Sequence, residues 1–223
     1  MRKMTSLARN AATSAGRLFG FGGAAGDVPE GFLRENRRLF LSRTRILILI
    51  GVGLLVASIP VDYLRVPLDR YPKAVALRLL GCALLLLLLR VLSRSFAERW
   101  AEWLAGAVVI VLGAITIAMA PLFAAGVADP NYAILVMGTV FLVMGSGLLL
   151  PFDGPTMALL GGILLLVHVA FTIDFAPGQN FPALFATFAV VAVTTIGVQQ
   201  LFAGRLGEYR ARLAQEMMSQ VRR

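Results

Sequence analysis

Residues 104–123 read LAGAVVIVLGAITIAMAPLF, a run of 20 positions with no formal charge. At a rise of about 1.5 Å per residue, such a run covers about 30 Å, the thickness of a bilayer's hydrocarbon core. Five more apolar runs accompany it, at 46–61, 74–92, 132–150, 157–173 and 181–202. The two shortest, 46–61 and 157–173, are completed by flanking residues or by local thinning of the bilayer. Backbone amides find no water inside hydrocarbon, so each run is expected to be a helix. A transmembrane barrel would need alternating strands of about ten residues, a pattern this sequence lacks. The expected fold class is an all-α integral membrane protein: a six-transmembrane-helix bundle with an amphipathic exit helix.

Bulk composition agrees. Hydrophobic residues make up 58% of the chain and charged ones 15%, with a mean hydropathy of +0.81. Soluble domains carry about 45–50% apolar and about 25% charged residues, so one soluble core of this size could not hide the excess. The net charge of +9 would suit a nucleic-acid binder in a soluble protein. Its distribution argues against that. Nine of the 21 Lys and Arg precede residue 46, seven lie within 65–99, and five follow residue 203. The flanks of a membrane domain carry charge in this way, with anionic lipid headgroups as further partners. The partners expected are therefore the lipid bilayer and a second copy or other membrane subunits, with no nucleic acid.

Proline and capping residues mark the helix starts. Pro72, Pro130, Pro155 and Pro182 each fall near the beginning of a run, where a missing N–H costs nothing. Asp129, Asp153 and Asn180 stand just ahead of three of these starts as candidate N-caps. All connections are short, so consecutive helices are expected to be antiparallel neighbours. With both ends inside, the inner segments carry 16 basic residues and the outer loops three, leaving aside Arg78 and Arg90 at helix ends. That bias sets the expected orientation, with N- and C-termini in the cytoplasm of a bacterial inner membrane.

Three regions follow. Residues 1–45 form a basic tail without the apolar run of a secretory signal, read as a cytoplasmic tail in preference to an organellar transit peptide. Leu18, Phe19 and Phe21 are placed to touch the membrane surface, 21–26 is a flexible linker, and 32–45 is a short basic amphipathic helix. Residues 46–203 are the membrane domain. Residues 204–223 continue the last span as a cytoplasmic helix whose stripe is Leu206, Tyr209, Leu213, Met217 and Val221. Glu208 and Arg212 are spaced as an i, i+4 pair on it.

Candidate sites are few. His168 is the only histidine and lies inside a span. It could bind a ligand or a haem, but one imidazole cannot supply a ligand set, and a neutral ring bonded to a neighbouring helix is the plainer expectation. Arg78 could meet a substrate anion. The alternatives are that it snorkels to the outer interface or pairs with Asp62 or Asp69. Asp62, Asp129 and Asp174 could form an acidic rim at the outer helix ends, or each could be a solvated loop residue or cap. Gly138, Gly145, Gly147, Gly161 and Gly162 suggest close packing of the fourth and fifth spans. Trp100, Trp103, Tyr63 and Tyr71 fit interfacial aromatic belts. Met119, Met137, Met144 and Met157 read as core filler, and the lone Cys82 as a small hydrophobe. There is no Walker loop, HExxH, GxSxG or CxxC motif and no dinucleotide fingerprint, so no catalytic residue, metal or cofactor is assigned.

The layout resembles the membrane domain of bacterial class III adenylate or guanylate cyclases, and also the input domain of six-span sensor kinases. Arg37-Arg38-Leu39-Phe40 before the first span, Asp62-Tyr63 after it, and the exit helix at 204–223 carry the resemblance. It implies an exit helix that couples the bundle to a cytoplasmic catalytic dimer, although no cyclase or kinase motif lies in these 223 residues. The expected function is a non-catalytic membrane sensor or anchor that dimerises. An accessory subunit of a larger membrane complex is the alternative, and a small transporter or channel ranks last.

Overall fold

The computed structural model describes residues 28–123, 130–172 and 181–221. Residues 1–27 of the basic tail with Leu18, Phe19 and Phe21, the linker at 21–26, and the candidate residues Asp129, Asp174 and Asn180 lie outside the described residues. Among the described residues six helices are long and apolar enough to cross a bilayer, and the protein is an all-α membrane bundle. They are α1 (Glu30–Arg65), α2 (Tyr71–Leu92), α3 (Ala101–Ala118), α4 (Pro130–Leu149), α5 (Gly154–Thr172) and α6 (Phe181–Val221). A 3-10 segment at Ser95–Trp100 leads into α3, and a short helical turn at Ala120–Phe123 extends it.

Proline chemistry sets several of these bounds. Pro72 falls in the first turn of α2. Pro130, Pro155 and Pro182 occupy the first or second position of α4, α5 and α6. The first helix stops because Val66 precedes Pro67, which drives it extended (φ −91°, ψ 136°). Asp153 caps α5, its carboxylate accepting the Thr156 N–H at 2.9 Å.

The pre-membrane helix and first span form one helix of 36 residues, and the last span continues without a break into the exit helix, as its sequence suggested, in one of 41 residues. At about 1.5 Å per residue these run to about 54 and 61 Å, roughly twice the hydrocarbon thickness. The start of α1 and the later part of α6 meet at one end of the bundle, here the extension end. The opposite end, where α1 meets α2, is the far end. Helix α1 also passes through Pro60 and continues to Arg65, so Asp62 belongs to a helix and not to a loop.

Packing centres on α3, which touches α1, α2, α4 and α5. Half of its most apolar stretch is buried, against 22–33% for the other five helices. Ile48, Leu85, Val108, Val109 and Leu164 form the middle of the continuous core. Outward faces are lined with Leu49, Leu54, Leu79, Leu86 and Leu87, all at least half exposed, as a lipid-facing surface requires.

The glycine reading needs correction. Helices α4 and α5 do not pack closely on each other; each packs on α6 and on α3. A Cβ at Gly147 would come within 2.7 Å of Thr194 and 2.9 Å of Val198, both on α6. Gly161 leaves no room for one beside Val191, also on α6, while Gly145 and Gly162 face open space. The small residues admit the sixth helix between two others, so consecutive helices are not always neighbours. The methionines divide as well: Met119 and Met157 are fully buried, whereas Met137 and Met144 are 58% and 43% exposed. Cys82 is buried and free.

Candidate functional site

The two helical extensions meet. Phe32, buried on α1, sits edge-to-face against Phe202 (5.5 Å, 87°) and Tyr209 (5.6 Å, 68°) of α6. Such ring pairs contribute about 0.5–1.5 kcal/mol each beyond the area they bury. Gly31 lies directly under the Tyr209 hydroxyl, where a side chain would not fit. Beside the rings, Arg205 Nη1 donates to Asn36 Oδ1 at 3.3 Å, and Asn36 Nδ2 donates to the Pro151 carbonyl at 3.2 Å. Arg212 reaches Glu35 at 3.6 Å while its guanidinium lies 5.8 Å from the Tyr209 ring. The Glu208–Arg212 pair expected from spacing thus gives way to an ion pair between helices.

This clamp divides the amphipathic stripe. Leu206 is 3% exposed and Tyr209 half-buried, both within the chain. Leu213 is half-buried and Met217 is 61% exposed. Sequence periodicity identified the stripe, but not that Tyr209 within it packs on Phe32 of α1. Asn36 and Phe32 were missed altogether, because their partners lie about 170 positions away.

Basic residues of α1 tie this clamp to the bundle. Arg43 Nη1 donates to the Leu149 carbonyl at 2.9 Å and Arg45 Nη2 to the Leu92 carbonyl at 3.1 Å. Each meets the carbonyl end of a helix, α4 or α2, where orphan acceptors and the helix dipole favour a cation. Gln199 of α6 accepts the Gly154 N–H at 2.9 Å, covering the start of α5. The extension end is therefore a polar girdle in which α1 and α6 hold the ends of three other helices.

At the far end, Arg78 meets Asp62 in a two-point pair, Nε to Oδ2 at 3.0 Å and Nη2 to Oδ1 at 3.2 Å. The side chains are 13% and 2% exposed. Of the alternatives for Arg78, pairing with Asp62 is the one observed, and Asp62 is neither a solvated loop residue nor part of an open rim. Asp69 instead stands 4.0 Å from Arg70 and is 78% exposed. Tyr63 and Tyr71 stack edge-to-face nearby (5.3 Å), and Trp100 and Trp103 are exposed at the extension end, as aromatic belts require.

His168 on α5 is 2% exposed, and its Nε2 lies 2.8 Å from the Tyr132 hydroxyl of α4. It bridges two helices that do not otherwise pack closely, in accord with the plainer reading of that residue. Among the described residues no group of three His, Cys, Asp or Glu side chains converges. His168, Arg78 and Asp62 are not brought together: the first binds α4 to α5, the others α1 to α2. No family model, curated protein or solved structure matches the chain.

Proposed function

We propose that this chain is a non-catalytic membrane module that dimerises and passes a signal from its bundle, through α6, to a cytoplasmic effector of cyclase or kinase type. In this reading it sits in the cytoplasmic membrane of a bacterium with both termini inside. The excess of Lys and Arg at the extension end supports that orientation.

The observation that carries the proposal is the unbroken course of α6 from Phe181 to Val221. A continuous helix transmits a shift or rotation along its length. Shifts of about 1–2 Å are a common form of switching. The clamp of Phe32, Glu35 and Asn36 on α1 gives α6 a second, weaker hold outside the hydrocarbon. Aromatic edges and an exposed ion pair can slide or part at modest cost, which suits a joint between two states. Beyond it, Met217 and Met218 are 61% and 58% exposed and offer an apolar surface to a second copy.

The test is oxidative crosslinking in native membranes of Met217→Cys in a Cys82→Ser background. A disulfide-linked dimer is expected. Monomer alone would overturn the dimerising module, and stoichiometric co-purification of an unrelated subunit would establish the accessory-subunit reading in its place.

A further inference from the structure

Helices α1 and α4 border one long crevice without packing closely on each other. Its lower part is a cavity of about 440 Å³ walled by α1 and α4 and floored by Leu112 and Thr116 of α3. Its upper part, about 260 Å³, reaches Asp62, Arg65 and Arg78 at the far end. Leu54, Ser58 and Arg78 line both parts, so the two adjoin. Along α1 the lower cavity runs from Leu47 to Ser58, about 16 Å at 1.5 Å per residue, close to half the hydrocarbon thickness of about 30 Å. The lips are apolar and open sideways, with Leu54 64% and Phe141 69% exposed.

We propose that this crevice binds one anionic phospholipid, with an acyl chain in the lower cavity and the phosphate beside Arg65 and Arg78. Two features select this occupant. The charge at the mouth is complementary: Asp62 is held by two of the five N–H donors of Arg78, and the exposed Arg65 leaves the group with a net positive charge. The chamber below is chiefly apolar, with the hydroxyls of Ser58, Thr116 and Ser146 on its walls, and opens sideways at membrane depth, so hydrocarbon can enter it from the bilayer. Gly145 keeps it empty of protein, since nothing stands within 4 Å of where its Cβ would be. A lipid seated there would fill the gap between α1 and α4 and join two helices that the chain itself leaves apart.

The test uses the full chain purified in detergent and exchanged with vesicles of phosphatidylglycerol or phosphatidylcholine, followed by native mass spectrometry. The wild-type protein is expected to retain one lipid, with phosphatidylglycerol held about tenfold more tightly. Arg65→Gln is expected to erase that preference, and Gly145→Leu to abolish retention. Gly53→Leu, which also meets open space but does not line the crevice, should leave retention unchanged and serves as the control. Equal retention of both lipids by the wild type, or an unchanged preference in Arg65→Gln, overturns the proposal. So does full retention by a folded Gly145→Leu, or a Gly145→Leu that loses a dimer and keeps its lipid, which would assign the crevice to a second copy. Should Gly145→Leu fail to fold, the Arg65→Gln comparison decides alone.

Discussion

The far end and the extension end each join two helices by a guanidinium and a carboxylate, in opposite settings. Arg78 grips Asp62 through two bonds with both side chains nearly enclosed, at 13% and 2% exposure. Arg212 touches Glu35 once, at 3.6 Å, with 61% and 49% of the side chains exposed. Burial decides what each pair does. An enclosed pair cannot be opened on one side without stranding a charge, so it fixes α1 against α2. An exposed pair trades its partner for water almost freely, so the contact of Arg212 with Glu35 adds little to the hold that the Phe32 rings and the Arg205–Asn36 bond give α6 on α1. In the proposed function the far end is the lock and the extension end the joint.

The largest effect expected is at the lock. Asp62→Ala strands the Arg78 guanidinium and is expected to destabilise the bundle by about 3–5 kcal/mol, read as a fall in unfolding free energy in bicelles. Combining it with Arg78→Met should recover most of that loss, because the desolvated charge is then gone. A cost below about 1 kcal/mol for the single change, the range of exposed pairs, would erase the distinction between the ends.

A medium effect is expected in α5, where adjacent glycines separate tight from open packing. Gly161→Ala must displace Val191 and should cost about 1–3 kcal/mol. Gly162→Ala meets open space and should stabilise by up to about 1 kcal/mol through helix propensity. Equal effects at the two positions would show that α6 is not seated against Gly161.

The smallest effect is at the joint. Arg212→Gln is expected to change global stability by no more than about 1 kcal/mol, and less at high salt. Amide hydrogen exchange in 202–212 should nevertheless quicken, since the local hold on α6 is loosened. A stability loss as large as that of Asp62→Ala would make the extension end a second lock.

Legibility from sequence followed the range of the interactions. The apolar runs, the proline starts and the Asp153 cap depend on residues a few positions apart, and the helices cover those runs to within a residue or two, with α1 and α6 extending well beyond them. Arg78 pairs with Asp62, one of two partners that proximity along the chain suggested. The glycines were visible as small residues, but their partner helix was not. Spacing within α4 and α5 says nothing about α6 passing between them. The clamp was half visible: periodicity marked Leu206 and Tyr209, and no local signal marked Phe32 or Asn36.

The amino-acid sequence by itself determined that this chain is a bundle of six apolar helices, because hydrocarbon thickness and unpaired amides leave a charge-free run of that length no other form. Which faces meet, which charges are enclosed, and where α1 and α6 clasp were decided only in three dimensions. Apolar side chains pack as well on one apolar neighbour as on another, so the choice falls to shape: a glycine against Val191, a ring against Phe32, a carboxylate within reach of Arg78.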